Sequence, residues 1–327
     1  MSRHLAVEVE SFPIAGSFTI ARGSKTQAVV VTCLIGDGRW TGRGECVPYA
    51  RYGESVEGVR AAIEQVRPAV AAGATREALL ALLPGGAARN AVDCALWDLE
   101  AKQAGRRAWE IAEVRAPEPA ITAYTLSLAE PAQMAAEARR HAHRPLLKIK
   151  LGRGGDIERM RAIRDAAPES RLIVDANEGW GEDVLAANLA VAAELGVALV
   201  EQPLPAGHDA LLADIPHPVP ICADESFHGE GDPARLSGLY DAINIKLDKT
   251  GGLTAALAVK RKAQELGMGI MVGCMVGTSL GMAPALLLVD GAAFVDLDGP
   301  LLLARDREPG LRYEGSLVHP SDAALWG

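Results

Sequence analysis

The sequence predicts an α/β protein, a barrel of parallel strands alternating with helices, preceded by a smaller α+β unit. Three observations carry this. Beyond residue 120, eight short apolar runs recur at nearly constant spacing. Most of those runs end in an ionisable residue, as strands pointing at a reactive site do. Before residue 50, apolar and polar residues alternate on either side of Gly36-Asp37-Gly38-Arg39, the pattern of an antiparallel hairpin.

Leu5 to Val9, Ala28 to Ile35 and Trp40 to Val47 alternate and form the predicted small sheet. Two helix-period segments follow, Glu54 to Ala72 and Ala87 to Ala104, the second closed by Gly105 as a C-cap. Ala116-Pro117-Glu118-Pro119 marks a junction. The candidate barrel strands are Ile121 to Leu126, Leu146 to Leu151, Leu172 to Asp175, Ala198 to Gln202, Pro220 to Asp224, Ala242 to Leu247, Ile270 to Cys274 and Phe294 to Asp298. From Lys150 the steps to Asp175, Glu201, Asp224, Lys246, Gly273 and Asp296 are 25, 26, 23, 22, 27 and 23 residues. Each step holds one strand, one helix and two short loops. That period fits a closed barrel or a doubly wound sheet, and eight strands favour the barrel. The segment from Gly299 to Gly327 is expected to pack back on the barrel or on the N-terminal unit.

Composition narrows the function. Of 327 residues, 33 are Lys or Arg and 42 Asp or Glu, a net charge of −9 that argues against a nucleic-acid partner. With 49% hydrophobic and 23% charged residues the chain reads as globular rather than disordered. The N-terminus lacks an apolar signal core and no uncharged run reaches spanning length, so a cytoplasmic protein with no membrane partner is expected. Five scattered cysteines form no C-x-x-C pair, which suits reduced thiols and implies no thiolate metal site. His141 and His143 fall at a basic helix end and read as solvated. Gly152-Arg153-Gly154-Gly155 lacks the lysine and hydroxyl of a phosphate-binding loop and reads as a plain turn.

The ionisable residues closing the runs are Lys148, Lys150, Asp175, Glu201, Asp224, Lys246, Asp296 and Asp298. Residues two apart on a strand share a face, so Lys148 with Lys150, and Asp296 with Asp298, point the same way. Singly, an Asp ending a strand is often only a helix cap, and Lys-x-Lys often lies on a wet edge. In one register, eight buried charges without a ligand would be costly. Asp175, Glu201 and Asp224 form a hard-oxygen set that suits Mg²⁺ better than Zn²⁺. With that ion and three lysines the centre is cationic, which implies an anionic substrate. A carboxylate held there could lose its α-proton, because the cation and a lysine would stabilise the enediolate. Lys150 and Lys246 lie across the barrel, placed to remove and return a proton on opposite faces. Repulsion, the metal and burial are expected to favour neutral lysine. Asp296 and Asp298 suit a substrate ammonium. Asp248 shares the face of Lys246 if the strand continues, either orienting that lysine or capping the next helix.

These residues resemble the enolase superfamily, and within it the muconate-lactonising subgroup. The carriers are Leu147-Lys148-Ile149-Lys150, Val174-Asp175-Ala176-Asn177, Val200-Glu201-Gln202-Pro203, Ala223-Asp224-Glu225-Ser226 and Asn244-Ile245-Lys246-Leu247-Asp248-Lys249-Thr250-Gly251-Gly252. The resemblance implies an α+β capping domain (1–116) over a modified (β/α)₇β TIM-like barrel (117–300), with a tail (301–327). It implies one Mg²⁺ on Asp175, Glu201 and Asp224, acid/base roles for Lys150 and Lys246, and an electrostatic role for Lys148. Met271-Val272-Gly273-Cys274 lacks the histidine of the mandelate-racemase subgroup. The likeness is strongest to dipeptide epimerases, particularly those acting on L-Ala-D/L-Glu in murein-peptide metabolism, where an Asp-x-Asp holds the ammonium. Phe18 to Lys25 resembles their specificity loop, with Arg22 and Lys25 as substrate-binding candidates and Arg22 the one to pair with a Glu side chain. Pro48 to Ser55 resembles a second cap segment. The partners implied are a small dipeptide and, at most, further copies of the chain. The alternative on the same scaffold is a lyase of the o-succinylbenzoate synthase or muconate cycloisomerase kind.

Overall fold

The computed structural model describes residues 3–152, 154–229 and 231–327. Arg153, in the turn read as a plain loop, lies outside them. The N-terminal unit is an antiparallel sheet of β1 (His4–Ile20), β2 (Gly23–Gly36) and β3 (Thr41–Cys46), in that order. Ladder pairing runs from His4 opposite Gly36 to Ile20 opposite Gly23, with a register shift between Pro13 and Phe18. The hairpin is therefore much longer than its alternating core, and its tip carries Arg22 and Lys25.

Five helices complete this unit: α1 (Val56–Gln65), α2 (Arg67–Ala71), α3 (Arg76–Leu82), α4 (Ala87–Ala104) and α5 (Ala108–Ile111). The predicted Glu54–Ala72 helix is two helices. Ser55 caps the first, accepting from Gly58 N at 3.0 Å, and Pro68 in the first turn of the second removes a donor that a continuous helix would need. Helix α4 has the predicted bounds, and Gly105 ends it in the left-handed conformation at φ 62°. It lies flat on the sheet because Gly42 and Gly44 leave no Cβ in the way. One at Gly44 would strike the Ala91 carbonyl and the Ala95 nitrogen.

After a two-residue strand, β4 (Ala120–Ile121), the barrel strands are β5 (Tyr124–Leu126), β6 (Leu146–Lys150), β7 (Arg171–Asp175), β8 (Val197–Glu201), β9 (Ile221–Ala223), β10 (Ala242–Ile245), β11 (Gly269–Gly273) and β12 (Phe294–Asp296). They pair in parallel in chain order, which excludes the doubly wound alternative. The seam between β12 and β5 closes through Ala123 N to Val295 O at 2.8 Å. Two side chains help, Thr122 Oγ1 accepting from Leu297 N at 2.8 Å and Asp298 Oδ2 accepting from Thr125 N at 2.6 Å.

Two expectations need correction. The predicted strand Ile121–Leu126 is split. Ala120 and Ile121 pair with Val318 and Leu317 of the C-terminal hairpin β13 (Tyr313–Glu314) and β14 (Leu317–Val318), while Tyr124–Leu126 enters the barrel. The regular helix after each strand also fails twice. α6 (Pro131–Arg140), α7 (Asp156–Ala166) and α8 (Glu182–Glu194) follow β5, β6 and β7, but β8 and β9 are followed by 3₁₀ turns at Asp209–Asp214 and Pro233–Arg235. Pro203, Pro205, Pro216, Pro218 and Pro220 deny the loop after β8 the donors of an α-helix, and Pro233 opens the short turn after β9. A short α9 (Leu247–Thr250) and α10 (Leu253–Glu265) follow β10, and α11 (Ser279–Met282) follows β11. Beyond the barrel, Trp326 is buried, donating from Nε1 to Cys94 O at 3.0 Å, and Gly327 N donates to Asp98 at 2.9 Å, so the C-terminal segment rests on α4. Among the described residues no helix is long and apolar enough to cross a membrane.

Candidate functional site

The inward face of the barrel begins as an apolar floor of Ala123, Leu146, Ile173, Leu199, Cys222, Ala242, Met271 and Phe294. Two residues further along, the same face turns ionic. Lys150, Asp175 and Glu201 lie at one level, paired in register across β6, β7 and β8, and Asp224 follows β9 directly. Above them a cavity of about 820 Å³ opens under the hairpin tip. Lys148, Lys150, Asp224, Lys246, Asp296 and Asp298 line it from the barrel, Arg22, Lys25 and Tyr49 from the cap.

The charges form a lattice. Lys148 Nζ stands 2.6 Å from Glu201, 2.8 Å from Asp296 and 3.2 Å from Asp175. Lys150 reaches Asp175 at 2.6 Å and Lys246 reaches Asp224 at 2.7 Å. Burial works to raise Asp175, yet Lys150 and Lys148 overcome it and hold the carboxyl down at about 2. Burial likewise opposes the ionised form of Asp224, which Lys246 and Lys249 pull well below the usual carboxylate range. Glu201 goes the other way. Burial and then Asp175 outweigh Lys148 and push it up to about 7. Asp298 is also pushed up to about 7, by burial and by Asp296.

The comparisons agree with this geometry. Residues 3–111 match the model described as mandelate racemase / muconate lactonizing enzyme, N-terminal domain, and residues 132–303 match the enolase C-terminal domain-like model. The chain belongs to the mandelate racemase / muconate lactonizing enzyme family. It is 48% identical to the L-Ala-D/L-Glu epimerase of Escherichia coli (strain K12), over 97% of this chain and 99% of that one. It is 46% identical to an N-acetyl-D-glutamate racemase of a Pseudoalteromonas species, over 91% and 95%. An enolase family member from Agrobacterium tumefaciens with homology to dipeptide epimerases, solved with bound sodium and L-Ala-L-Glu, superposes with a TM-score of 0.98. It is 62% identical, covering 99% of this chain and all of that one. Other solved dipeptide epimerases are complexed with Mg and a dipeptide.

Within this family fold, two readings change, those of Asp248 and Arg22, while Lys148 and Lys246 are held as ammonium groups by the carboxylates beside them. Burial favours neutrality, but the carboxylates win and hold Lys148 and Lys246 well above the ordinary lysine value, Asp296 being the strongest partner of Lys148 and Asp224 that of Lys246. Asp248 neither orients Lys246 nor caps the next helix. The strand stops at Ile245, and the carboxylate instead accepts from Val47 N at 3.0 Å and Asn90 Nδ2 at 2.9 Å in the cap. Arg22 is not free. It pairs with Glu178 at 2.9 Å and Glu225 at 2.6 Å.

The family implies a divalent ion, and the residues present fit one. Among the described residues no three His, Cys, Asp or Glu side chains are already gathered about one ion position, because ammonium groups stand between the carboxylates. The donor set is nevertheless hard oxygen on three successive strands. Burial and then the neighbouring Asp175 drive Glu201 toward protonation, and a cation held between the carboxylates would favour the ionised form.

Several functional residues escaped sequence reasoning although they sat beside the residues it chose. Lys249, fully buried, donates to Asp224 Oδ1 and to its backbone oxygen, each at 2.6 Å. Asn244 donates to Glu201 at 2.7 Å, and Gly273 on the next strand has no Cβ because one would strike that amide. Gln202, at φ 36°, accepts from Asp224 N and Ser226 N at 2.9 and 3.0 Å and fixes the turn that carries Asp224. Burial was the missing signal, since neither a lysine one helical turn past β10 nor an amide in or beside a strand is marked as buried by sequence.

Proposed function

We propose that this chain is a divalent-metal-dependent epimerase that inverts the Cα of the second residue of a dipeptide, with L-Ala-L-Glu as its substrate and L-Ala-D-Glu as product. The observation that carries the reading is the opposition of Lys150, at the end of β6, and Lys246, just past β10, four strands away around an eight-stranded barrel. Two lysines facing one cavity from opposite walls, one as the neutral amine that takes a proton from one face and the other as the ammonium that delivers one to the opposite face, suit inversion at Cα. Asp175, Glu201 and Asp224 would hold the Mg²⁺, which supplies charge stabilisation to the carboxylate whose α-proton is lost. Lys150 and Lys246 each need release from Asp175 and Asp224 to act as base, and a cation taking over those carboxylates permits it. Lys148, touching three carboxylates, remains charged and holds the anionic end of the substrate.

Asp296 and Asp298 favour a substrate with a free ammonium. Asp296 Oδ1 is buried without a hydrogen-bond partner, and burial and then Asp296 push the Asp298 carboxyl up to about 7. An ammonium between them would satisfy both. Murein fragments are one source of such dipeptides, and the cytoplasm is the compartment the reading assigns.

The test is α-proton exchange in deuterated buffer with Mg²⁺, across L-Ala-L-Xaa dipeptides, N-acetylglutamate and an o-succinylbenzoate precursor. Exchange that peaks at L-Ala-L-Glu, makes the D epimer and stops with chelator supports the reading. Exchange of N-acetylglutamate alone points to the N-acyl racemase relative, and turnover of the elimination substrate alone points to a lyase. Either removes the ammonium role from Asp296 and Asp298.

A further inference from the structure

Lys150 and Lys246 face one cavity but are held by different means. Lys150 is the last residue of β6, paired in register with Asp175 of β7. The backbone beyond it stays tied to the barrel, Leu151 N donating to Asp175 O at 2.8 Å and Gly152 N to Asp156 at 2.7 Å. Lys246 stands past the last ladder pair of β10, Ile245 opposite Val272, and opens the tight turn of α9. Its carbonyl accepts from Lys249 N and Thr250 N at 2.9 and 3.0 Å. Whatever holds that turn sets where the Lys246 amine can reach.

The cap holds it. Arg89, Asn90, Asp93 and Trp97, at helical spacing on one face of α4, all meet the stretch from Asp248 to Thr254. Arg89, fully buried, donates to Thr250 O at 2.8 Å and Gly251 O at 3.1 Å, carbonyls at the end of α9 that the helix itself leaves unpaired, and to Leu83 O in the cap at 3.1 Å. Asp93, 1% exposed, accepts from Thr254 N at 3.0 Å and from its hydroxyl at 2.6 Å, and Trp97 Nε1 donates to the same hydroxyl at 3.0 Å. Gly251 and Gly252, at φ 78° and 104°, let the helix come this close. A Cβ on the first would strike the Arg89 guanidinium, and one on the second the Asp93 carboxylate.

We infer that Arg89 and Asp93 are positioning residues for Lys246, so that helix α4 of the cap, through the turn from Lys246 to Thr254, sets the reach of one acid/base lysine while the barrel sets that of the other. This rests on the two-lysine reading above and adds a division of labour between the domains that the reading does not contain. A base displaced by about an ångström can lose about a hundredfold in rate.

The experiment follows deuterium exchange at Cα with saturating Mg²⁺, separately from L-Ala-L-Glu and L-Ala-D-Glu, in the full chain, in Lys246→Ala, and in Arg89→Met and Asp93→Ala. Rates are taken per folded molecule, the folded fraction being read by near-UV circular dichroism. Lys246→Ala marks the epimer whose proton Lys246 takes. Arg89→Met and Asp93→Ala should shift the ratio of the two exchange rates about tenfold to a hundredfold against that epimer. A disturbance that reaches Asp224 through Lys249, or a general loss of structure, slows both epimers alike and cancels in the ratio. Should neither variant fold, Thr254→Val removes only the hydroxyl between Asp93 and Trp97 and should shift the ratio the same way by more than about twofold. A ratio within about twofold of wild type in every folded variant, or shifted against the other epimer, overturns the assignment. If the wild-type chain exchanges neither epimer, the functional reading itself fails and takes this assignment with it, an outcome distinct from a retained ratio.

Discussion

On five of the eight barrel strands, two residues separate the apolar floor of the barrel from its ionic upper half, on the same inward face. Leu146 gives way to Lys148, Ile173 to Asp175, Leu199 to Glu201, Cys222 to Asp224 and Phe294 to Asp296. The floor follows ordinary core logic, with side chains that fill space and carry no polar atom to satisfy. The upper half is as buried, Asp175 and Glu201 being 0% exposed, yet it is built of charges whose removal from water is paid back only where partners are close. The contrast teaches that one strand can be optimised for stability at its base and for reactivity at its tip, with the change confined to a single side-chain step.

The sharpest way to break the comparison is to strip the reacting groups from the upper half. Lys150→Ala and Lys246→Ala should each slow α-proton exchange by about 10²–10⁴-fold, with one variant failing on the L epimer and the other on the D epimer. Single-turnover deuterium incorporation read by NMR checks this, and exchange at the wild-type rate in both variants would sink the two-lysine mechanism. Leu199→Ala on the floor should leave the rate per folded molecule nearly intact.

Lys148 and Ile173 are partners across β6 and β7, so substituting them compares the two layers at neighbouring positions. Lys148→Met leaves Glu201, Asp296 and Asp175 with less countercharge and should cost about 3–5 kcal/mol at pH 8, where the carboxyls cannot readily take up protons instead. Ile173→Ala opens a cavity and should cost about 2–5 kcal/mol. The distinguishing readout is Mg²⁺. Ligand-linked stabilisation in thermal melts should survive in Ile173→Ala and change in Lys148→Met. Equal Mg²⁺ responses would mean that the upper layer is not a cation site.

Legibility divides along the same line. Short apolar runs recurring at a spacing of 22 to 27 residues exposed the barrel, and the ionisable residues closing most of them exposed the eight charges. Contacts between cap and barrel were hidden, because Arg22 meets Glu178 and Glu225 across 156 and 203 residues and no local pattern records that. Lys249 and Asn244 were within quoted motifs but had no signal separating them from surface polar residues. The carboxylates read as metal ligands also serve as partners of the lysines, and around Lys148 and Lys246 they outweigh burial. The missing helix after β8 was visible as prolines, but constant spacing masked it, and the loop after β9 carried no such signal.

Asp248 sharpens the comparison from a third position, as a partly buried carboxylate that lies between the barrel and the cap. It has two hydrogen bonds and no ammonium, unlike Asp175 and Asp224. Burial, opposed by the Val47 and Asn90 hydrogen bonds and reinforced by Glu54 and Glu45, pushes it up to about 7. An unfolded Asp ionises near about 4. Between those values the folded chain keeps a proton that the unfolded chain has released, so stability falls as pH rises through the window and stays lower above it. Asp175, held down at about 2, has the opposite sign and contributes stability that is lost only in acid. Asp248→Asn keeps an acceptor for Val47 and cannot titrate. Its stability relative to wild type should therefore grow by about 2–4 kcal/mol between pH 4 and pH 8. Urea unfolding at several pH values reads that difference. Parallel curves for the two proteins would show that the cap tolerates a partly buried carboxylate as cheaply as the barrel mouth does with lysines beside it.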